Sequence, residues 1–166
     1  MQHNLISKIY DCAIDPAAWP AALSEIANAL GANGAMFFEV SNRGGNDFII
    51  APHISENFKH EAVKRYLDAF NDQEIIDQEH FARLSGANLD LDLISDTEFY
   101  PNQATFDKLP NVQAMMKTGL RHRAGTLLNL DCWKIDRFAL QYSIEHGPIT
   151  PQEKAIAKQL LPHIAK

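Results

Sequence analysis

Arg121–Leu130, RHRAGTLLNL, and Ile135–Ile144, IDRFALQYSI, are separated only by Asp131–Lys134. In the second segment Phe138, Leu140, Tyr142 and Ile144 fall at every second position, the period that puts side chains on one face of a strand. Two long apolar runs joined by so short a connection predict an antiparallel hairpin. A second hairpin is predicted upstream from Ala35–Val40 and Phe48–Ala51. Asn42, Arg43, Gly44, Gly45, Asn46 and Asp47 between them carry turn chemistry. Leu89, Leu91 and Leu93 alternate with Asp90 and Asp92, the pattern of a strand with one wet face.

Helical spacing surrounds these strands. Leu5, Ile6, Ile9 and Ala13 predict a short first helix, and Asp15 followed by Pro16 predicts a capped restart. The second helix then carries the stripe Trp19, Leu23, Ile26, Ala27 and Leu30, and Gly31 ends it. A third helix is expected from Ser55, as its cap, to Phe70, through Phe58, Ala62 and Tyr66. The stretch from Asp68 to Glu98 holds nine acidic residues and one base, Arg83, and reads as a surface excursion. Pro110–Thr118 predicts a helix stopped by Gly119. Thr150, Pro151 and Glu153 predict a capping box that opens a last helix through Ile156, Leu160 and Leu161. This order implies an α+β fold: one antiparallel sheet with helices on its faces.

Composition narrows the class. A chain of 166 residues is the size of one domain, and at roughly 150 residues a globular chain buries ~70% of its unfolded surface. Hydrophobic residues at 46% and charged residues at 22% exclude disordered and collagenous classes. Fifteen Lys and Arg against 21 Asp and Glu give a net charge of −6, which argues against direct nucleic-acid binding. No stretch approaches the ~18 apolar residues that span a bilayer, and Met1–Ser7 lacks the features of a signal peptide, so the cytoplasm is expected. Cys12 and Cys132 stand far apart and read as inert packing rather than as a redox pair.

Motifs for chemistry are missing: there is no GxxxxGK[ST], GxGxxG or GxSxG. His60, Glu61 and Lys64 fall short of a zinc-protease motif, because a protonated Lys cannot ligate. Asn88, Asp90 and Asp92 resemble the start of a calcium loop, but Leu93 and Phe99 stand where Gly and Glu are needed. The seven histidines include no i,i+4 pair. No catalytic residue, metal or cofactor is therefore expected. An enzyme would rest on His122, Arg121 and Asp131, which form no recognisable constellation. Phe38, Tyr66, Phe70, Trp133, Phe138 and Tyr142, with Phe37, suit either the lining of an apolar ligand pocket or an ordinary core.

Ile9-Tyr10-Asp11, then Asp15-Pro16, Trp19-Pro20, Leu23, Ala27 and Leu30-Gly31, resemble the start of the sensory region of many LuxR-type helix-turn-helix transcriptional regulators. Leu160-Leu161-Pro162-His163 resembles the stretch where that region passes through a helix into the DNA-binding domain. Tyr66 fits the tyrosine-containing segment of such proteins, although Asp72-Gln73 replaces the Asp-Pro that often follows. The resemblance covers both ends and little of the middle.

It implies a PAS- or GAF-like sensory domain over 1–166 that binds an unidentified small-molecule effector and forms a homodimer. DNA would be reached only through a helix-turn-helix domain following the helix of 150–166. That domain is expected to be missing, since the chain stops at Lys166. Ile156, Leu160 and Leu161 are the seam through which the last helix would meet a second copy, or else pack on its own sheet. The alternative is a free-standing GAF-like module that binds a small molecule or a protein and has no DNA-binding partner domain.

Overall fold

Two hairpins from distant parts of the chain meet edge to edge to form the sheet. A computed structural model describes residues 2–43, 46–85, 91–130 and 134–165. The elements are α1 (Gln2–Ile14), a 3-10 turn (Pro16–Ala18), α2 (Trp19–Ala29), β1 (Gly34–Arg43), β2 (Asn46–Ile54) and α3 (His60–Ser85). They continue with β3 (Ile94–Ser95), α4 (Asp96–Phe99), α5 (Gln103–Phe106), α6 (Pro110–Met116), β4 (Leu120–Leu130), β5 (Lys134–Ser143) and α7 (Pro151–Ile164). Strand order is β2-β1-β5-β4-β3, antiparallel throughout. This is the expected α+β architecture, consistent with a PAS/GAF-like domain.

Register assigns the faces. Phe37 lies opposite Phe138, and Ala124 opposite Leu140, so these share one face with Tyr142. Phe38 lies opposite Arg137, Met36 opposite Ala139 and Arg123 opposite Gln141, on the other. The first face is covered by α1, α2 and α7 in a core that holds Leu5, Ile9, Leu23, Ile26, Leu30, Leu160 and Leu161. Tyr142 is fully buried and donates a hydrogen bond to the Leu30 carbonyl at 3.2 Å. The second face is covered mainly by α3.

Local signals worked where they rested on caps. Asp15 accepts from the Ala17 amide at 3.1 Å, although it caps the 3-10 turn and α2 follows from Trp19. Gly31 has φ +65°, and the Thr150–Glu153 capping box is present. The two ends of the chain also touch: Tyr10 Oη and His163 Nδ1 are 2.8 Å apart.

Four expectations need correction. Helix α3 starts at His60, because Ser55 is fully buried and ties the end of β2 to the start of β1. Its Oγ accepts from the Ala35 amide at 3.1 Å and donates to Asn57 at 2.7 Å. The helix also runs past Phe70, where φ −124° and ψ 20° mark a kink, so much of the acidic stretch is helix rather than excursion. Strand β3 is only Ile94–Ser95; Leu89 and Asp90 lie outside the described residues. Ile144 is 46% exposed, because β5 ends at Ser143 and the chain turns through Gly147 at φ +81°.

Leu160 and Leu161, each 1% exposed, are taken up by the chain's own core. Ile156 packs half-buried against the same cluster. The apolar seam of α7 therefore packs against its own sheet. Among the described residues, no helix is long and apolar enough to cross a membrane.

Candidate functional site

The second sheet face and α3 do not close fully on one another. The result is a chamber of about 360 Å³ between Met36 and Phe38 of β1, Phe58, Val63 and Tyr66 on the α3 side, and Met115 and Leu120 at the α6–β4 end. That size lies within the ~300–1,000 Å³ typical of small-molecule sites. Gly34 contributes by absence: a Cβ there would collide with the Phe58 ring, so glycine lets this wall close down on β1. Gln141, Glu74 and Lys59 line the chamber together with Asn33, Asn57 and Thr118, with Lys59 exposed and Glu74 buried.

Glu74 belongs to a buried network that joins α3, α6 and β4. Arg123 donates to Glu74 Oε1 at 3.0 Å and to Asp77 Oδ2 at 2.7 Å. Asn111 Nδ2 bridges the same carboxylates at 2.9 and 2.8 Å, and Tyr66 donates its hydroxyl to Glu74. Tyr100 donates to Asp77 at 3.0 Å, as does Gln73. Burial alone would lower the pKa of Arg123, but Glu74 and Asp77 outweigh it and hold the guanidinium firmly charged. Burial, then the Glu74 charge, pushes the Tyr66 phenol well up, so it remains a donor. Burial and Asp77 push Tyr100 up to about 12. The chamber wall formed by Tyr66 and Glu74 is thus held by hydrogen bonds to one another and from Arg123 and Asn111 to Glu74, the kind of preorganisation that favours selective binding.

One strand over on the same face, Arg137 is 3% exposed and has no such partners. Among the described residues its Nε and Nη2 have no hydrogen-bond partner, and burial by itself pulls its pKa down to about 10. The Phe81 ring lies 6.0 Å from its guanidinium carbon. A small space of about 20 Å³ is bordered by Arg137, Arg123, Gln141, Gln78, Phe38 and Phe81. Phe38 and Gln141 line both this space and the chamber.

The aromatic residues singled out from the sequence divide by face. Phe38 and Tyr66 line the chamber. Phe70 stands behind Tyr66 with ring centroids 5.2 Å apart and is not among the lining side chains. Phe138 and Tyr142 point to the opposite face and fill the core against α2 and α7, because strand alternation turns them away from Phe38's side. Trp133 and Asp131, like Cys132, lie outside the described residues.

Sequence reasoning missed Arg123, Glu74, Asp77, Asn111, Arg137 and Gln141. The available signal was Arg123, Arg137 and Gln141 at alternate strand positions, which the usual one-sided pattern assigns to a wet face.

Other candidates resolve into structural contacts. His122 Nδ1 lies 3.0 Å from Asp96 Oδ2, and Arg121 pairs with Asp107 at 2.6 Å. Together they fasten β4 to α4 and α5. Cys12 is buried, its thiol pushed up by burial and by Asp11 and Asp15, and it donates to the Lys8 carbonyl. No group of three or more His, Cys, Asp or Glu side chains among the described residues is arranged to hold a metal ion. A more open recess of about 350 Å³ is lined by Trp19, Phe37 and His53, and also by Phe38, Glu39, Asp136 and Arg137.

No family model matches the chain, and no curated protein does. Among solved structures, it is similar to the LBD domain of VqsR from Pseudomonas aeruginosa, with a TM-score of 0.68. The match covers 99% of this chain and 92% of that one at 13% identity, a likeness of fold.

Proposed function

We propose that this chain is a small-molecule sensory domain of the kind that precedes the DNA-binding domain in LuxR-type transcriptional regulators. The observation that carries the reading is the chamber between the sheet and α3, largely apolar, with Tyr66 and Glu74 held in fixed orientation. The likeness to the VqsR domain, a ligand-binding domain by name, and the two terminal sequence signatures support it. A cytoplasmic location, an unidentified small-molecule effector, a homodimer and DNA contact only through a helix-turn-helix domain belong to the same proposal. No catalytic role is proposed.

Strand β5 provides a route from ligand to output. Gln141 lines the chamber, while its neighbours Leu140 and Tyr142 are buried in the core with α7 on the other face. A ligand that shifts β5 by changing the packing at Gln141 therefore biases how α7 sits, provided it binds the two arrangements unequally. The Leu160–Leu161 seam is then a lever resting on the sheet.

A thermal-shift screen of amphipathic metabolites tests the reading. At a ligand concentration 100-fold over Kd the native state gains about 2.7 kcal/mol, which for a domain of this size raises Tm by roughly 5–11 °C. Val63→Trp, which fills the chamber from α3, must abolish the shift. If no compound in a broad library stabilises the wild type, or if Val63→Trp responds equally, the chamber is not a ligand site.

A further inference from the structure

We infer that Arg137 is the receptor for an anionic head, and that the effector is an amphipathic monocarboxylate whose chain occupies the chamber. The inference rests on the sensory reading above and names its ligand class. Arg123 and Arg137 make the comparison within one molecule. Both sit on the same sheet face and are nearly equally buried, at 5% and 3% exposure. Arg123 is matched by two carboxylates, whereas Arg137 keeps two nitrogens without any acceptor. Buried guanidinium groups are otherwise paired, because an unpaired charge out of water is strongly disfavoured.

The two orphan nitrogens, Nε and Nη2, form one edge of the guanidinium plane. That edge presents two parallel N–H bonds, the geometry that takes a carboxylate in two-pronged fashion. Arg123 Nε and Gln141 Oε1 are also without partners, and their side chains border the same 20 Å³ space. The space as it stands is the size of one water, which supplies no charge; a carboxylate enters only if the side chains of Phe38 or Gln141 shift to widen it. A carboxylate supplies both the charge and the acceptors, and the amide of Gln141 can turn its donor end toward it.

Phe38 and Gln141 line both this space and the chamber, so they are the side chains that a chain lying among Met36, Val63 and Met115 must displace to bring its head group to Arg137. Glu74 does not recruit a cationic ligand in its place, because its charge is already matched by Arg123, which reaches Oε1 at 3.0 Å and Oε2 at 3.3 Å, while Asn111 and Tyr66 also donate to Oε1. A neutral alcohol or ester of the same length fills the chamber and leaves Arg137 unpaired.

Titration calorimetry with decanoate, methyl decanoate and 1-decanol, each kept below its aggregation concentration, tests this on the wild type, Arg137→Met and Arg137→Lys. The wild type is expected to bind the acid at least tenfold more tightly than the ester or alcohol. Arg137→Met should erase that preference while still binding the alcohol, and Arg137→Lys should keep part of it. Should Arg137→Met lack a cooperative melt, Arg137→Lys decides: a preference reduced threefold or more supports the inference, and an unchanged one overturns it.

Equal wild-type affinity for acid and ester overturns the carboxylate class and leaves the sensory reading standing. If none of the three binds, the inference falls, and the sensory reading falls with it only if the metabolite screen is silent too. A chloride titration separates a free anion from a head group. Arg137-dependent stabilisation by chloride that decanoate does not displace would assign the site to an inorganic anion and overturn the effector assignment.

Discussion

Arg123→Met deletes the cation at the centre of the α3–α6–β4 network while roughly conserving side-chain volume. The guanidinium spans Glu74 and Asp77, whose side chains are 2% and 0% exposed, against 5% for its own. Without it, two carboxylates remain buried and close together, with Asn111, Gln73, Tyr66 and Tyr100 as their donors among the described residues. Breaking one side of a buried ion pair in this way costs about 3–5 kcal/mol. That is a large share of the ~5–15 kcal/mol that holds a typical domain folded. At about 2–4 °C per kcal/mol for a chain of this length, Tm should fall by roughly 6–20 °C.

Calorimetric melts of the wild type, Arg123→Met and the triple variant Arg123→Met/Glu74→Gln/Asp77→Asn check the cause. If uncompensated charge is responsible, the triple variant recovers most of the loss, since neutral amides need no cation. A triple variant less stable than Arg123→Met, or an Arg123→Met that melts with the wild type, would refute the reasoning. The first result would point to the hydrogen bonds that the Glu74 and Asp77 carboxylates accept from Asn111, Tyr66 and Tyr100, and the second to a network without net worth.

Two further outcomes are expected. Leu160→Ala should lose about 2–5 kcal/mol in urea melts, as a large-to-small change at a fully buried core position, without altering the sedimentation coefficient. A change in oligomeric state at full stability would instead put Leu160 in an interface. His146 has its pKa raised: burial would lower it, but the Gly147 carbonyl and the Glu153 carboxylate at 2.9 Å prevail. Its protonated form therefore adds stability that is complete below the unfolded pKa of about 6.5 and is lost as pH rises through the higher folded value. His146→Gln should flatten that part of the stability–pH curve, and an unchanged curve would rule the pair out as its source.

The legible parts of this fold were those in which a side chain satisfies its own stretch of backbone. Asp15 and the Thr150–Glu153 capping box marked helix entries, and Gly31 marked an exit, because capping is local. Ser55 misled for the opposite reason: its hydroxyl is taken by the backbone of Ala35, twenty positions away. The chamber was half legible. Phe38 and Tyr66 were chosen for being aromatic, as were Phe138 and Tyr142, and nothing in one strand says which face will carry a cavity.

Alternation along β5 settled that Phe138, Leu140 and Tyr142 share a face, and the chain order settled an antiparallel sheet with helices around it. Period and capping are properties of neighbours in sequence. Which face would hold the chamber, and that Arg123, Glu74 and Asp77 would be buried together, depended on α3 crossing the sheet's second face. Charged residues read as surface when taken singly. Here a cation on β4 and two anions on α3, 49 and 46 positions away, remove one another's need for water once the fold brings them within 3.0 and 2.7 Å.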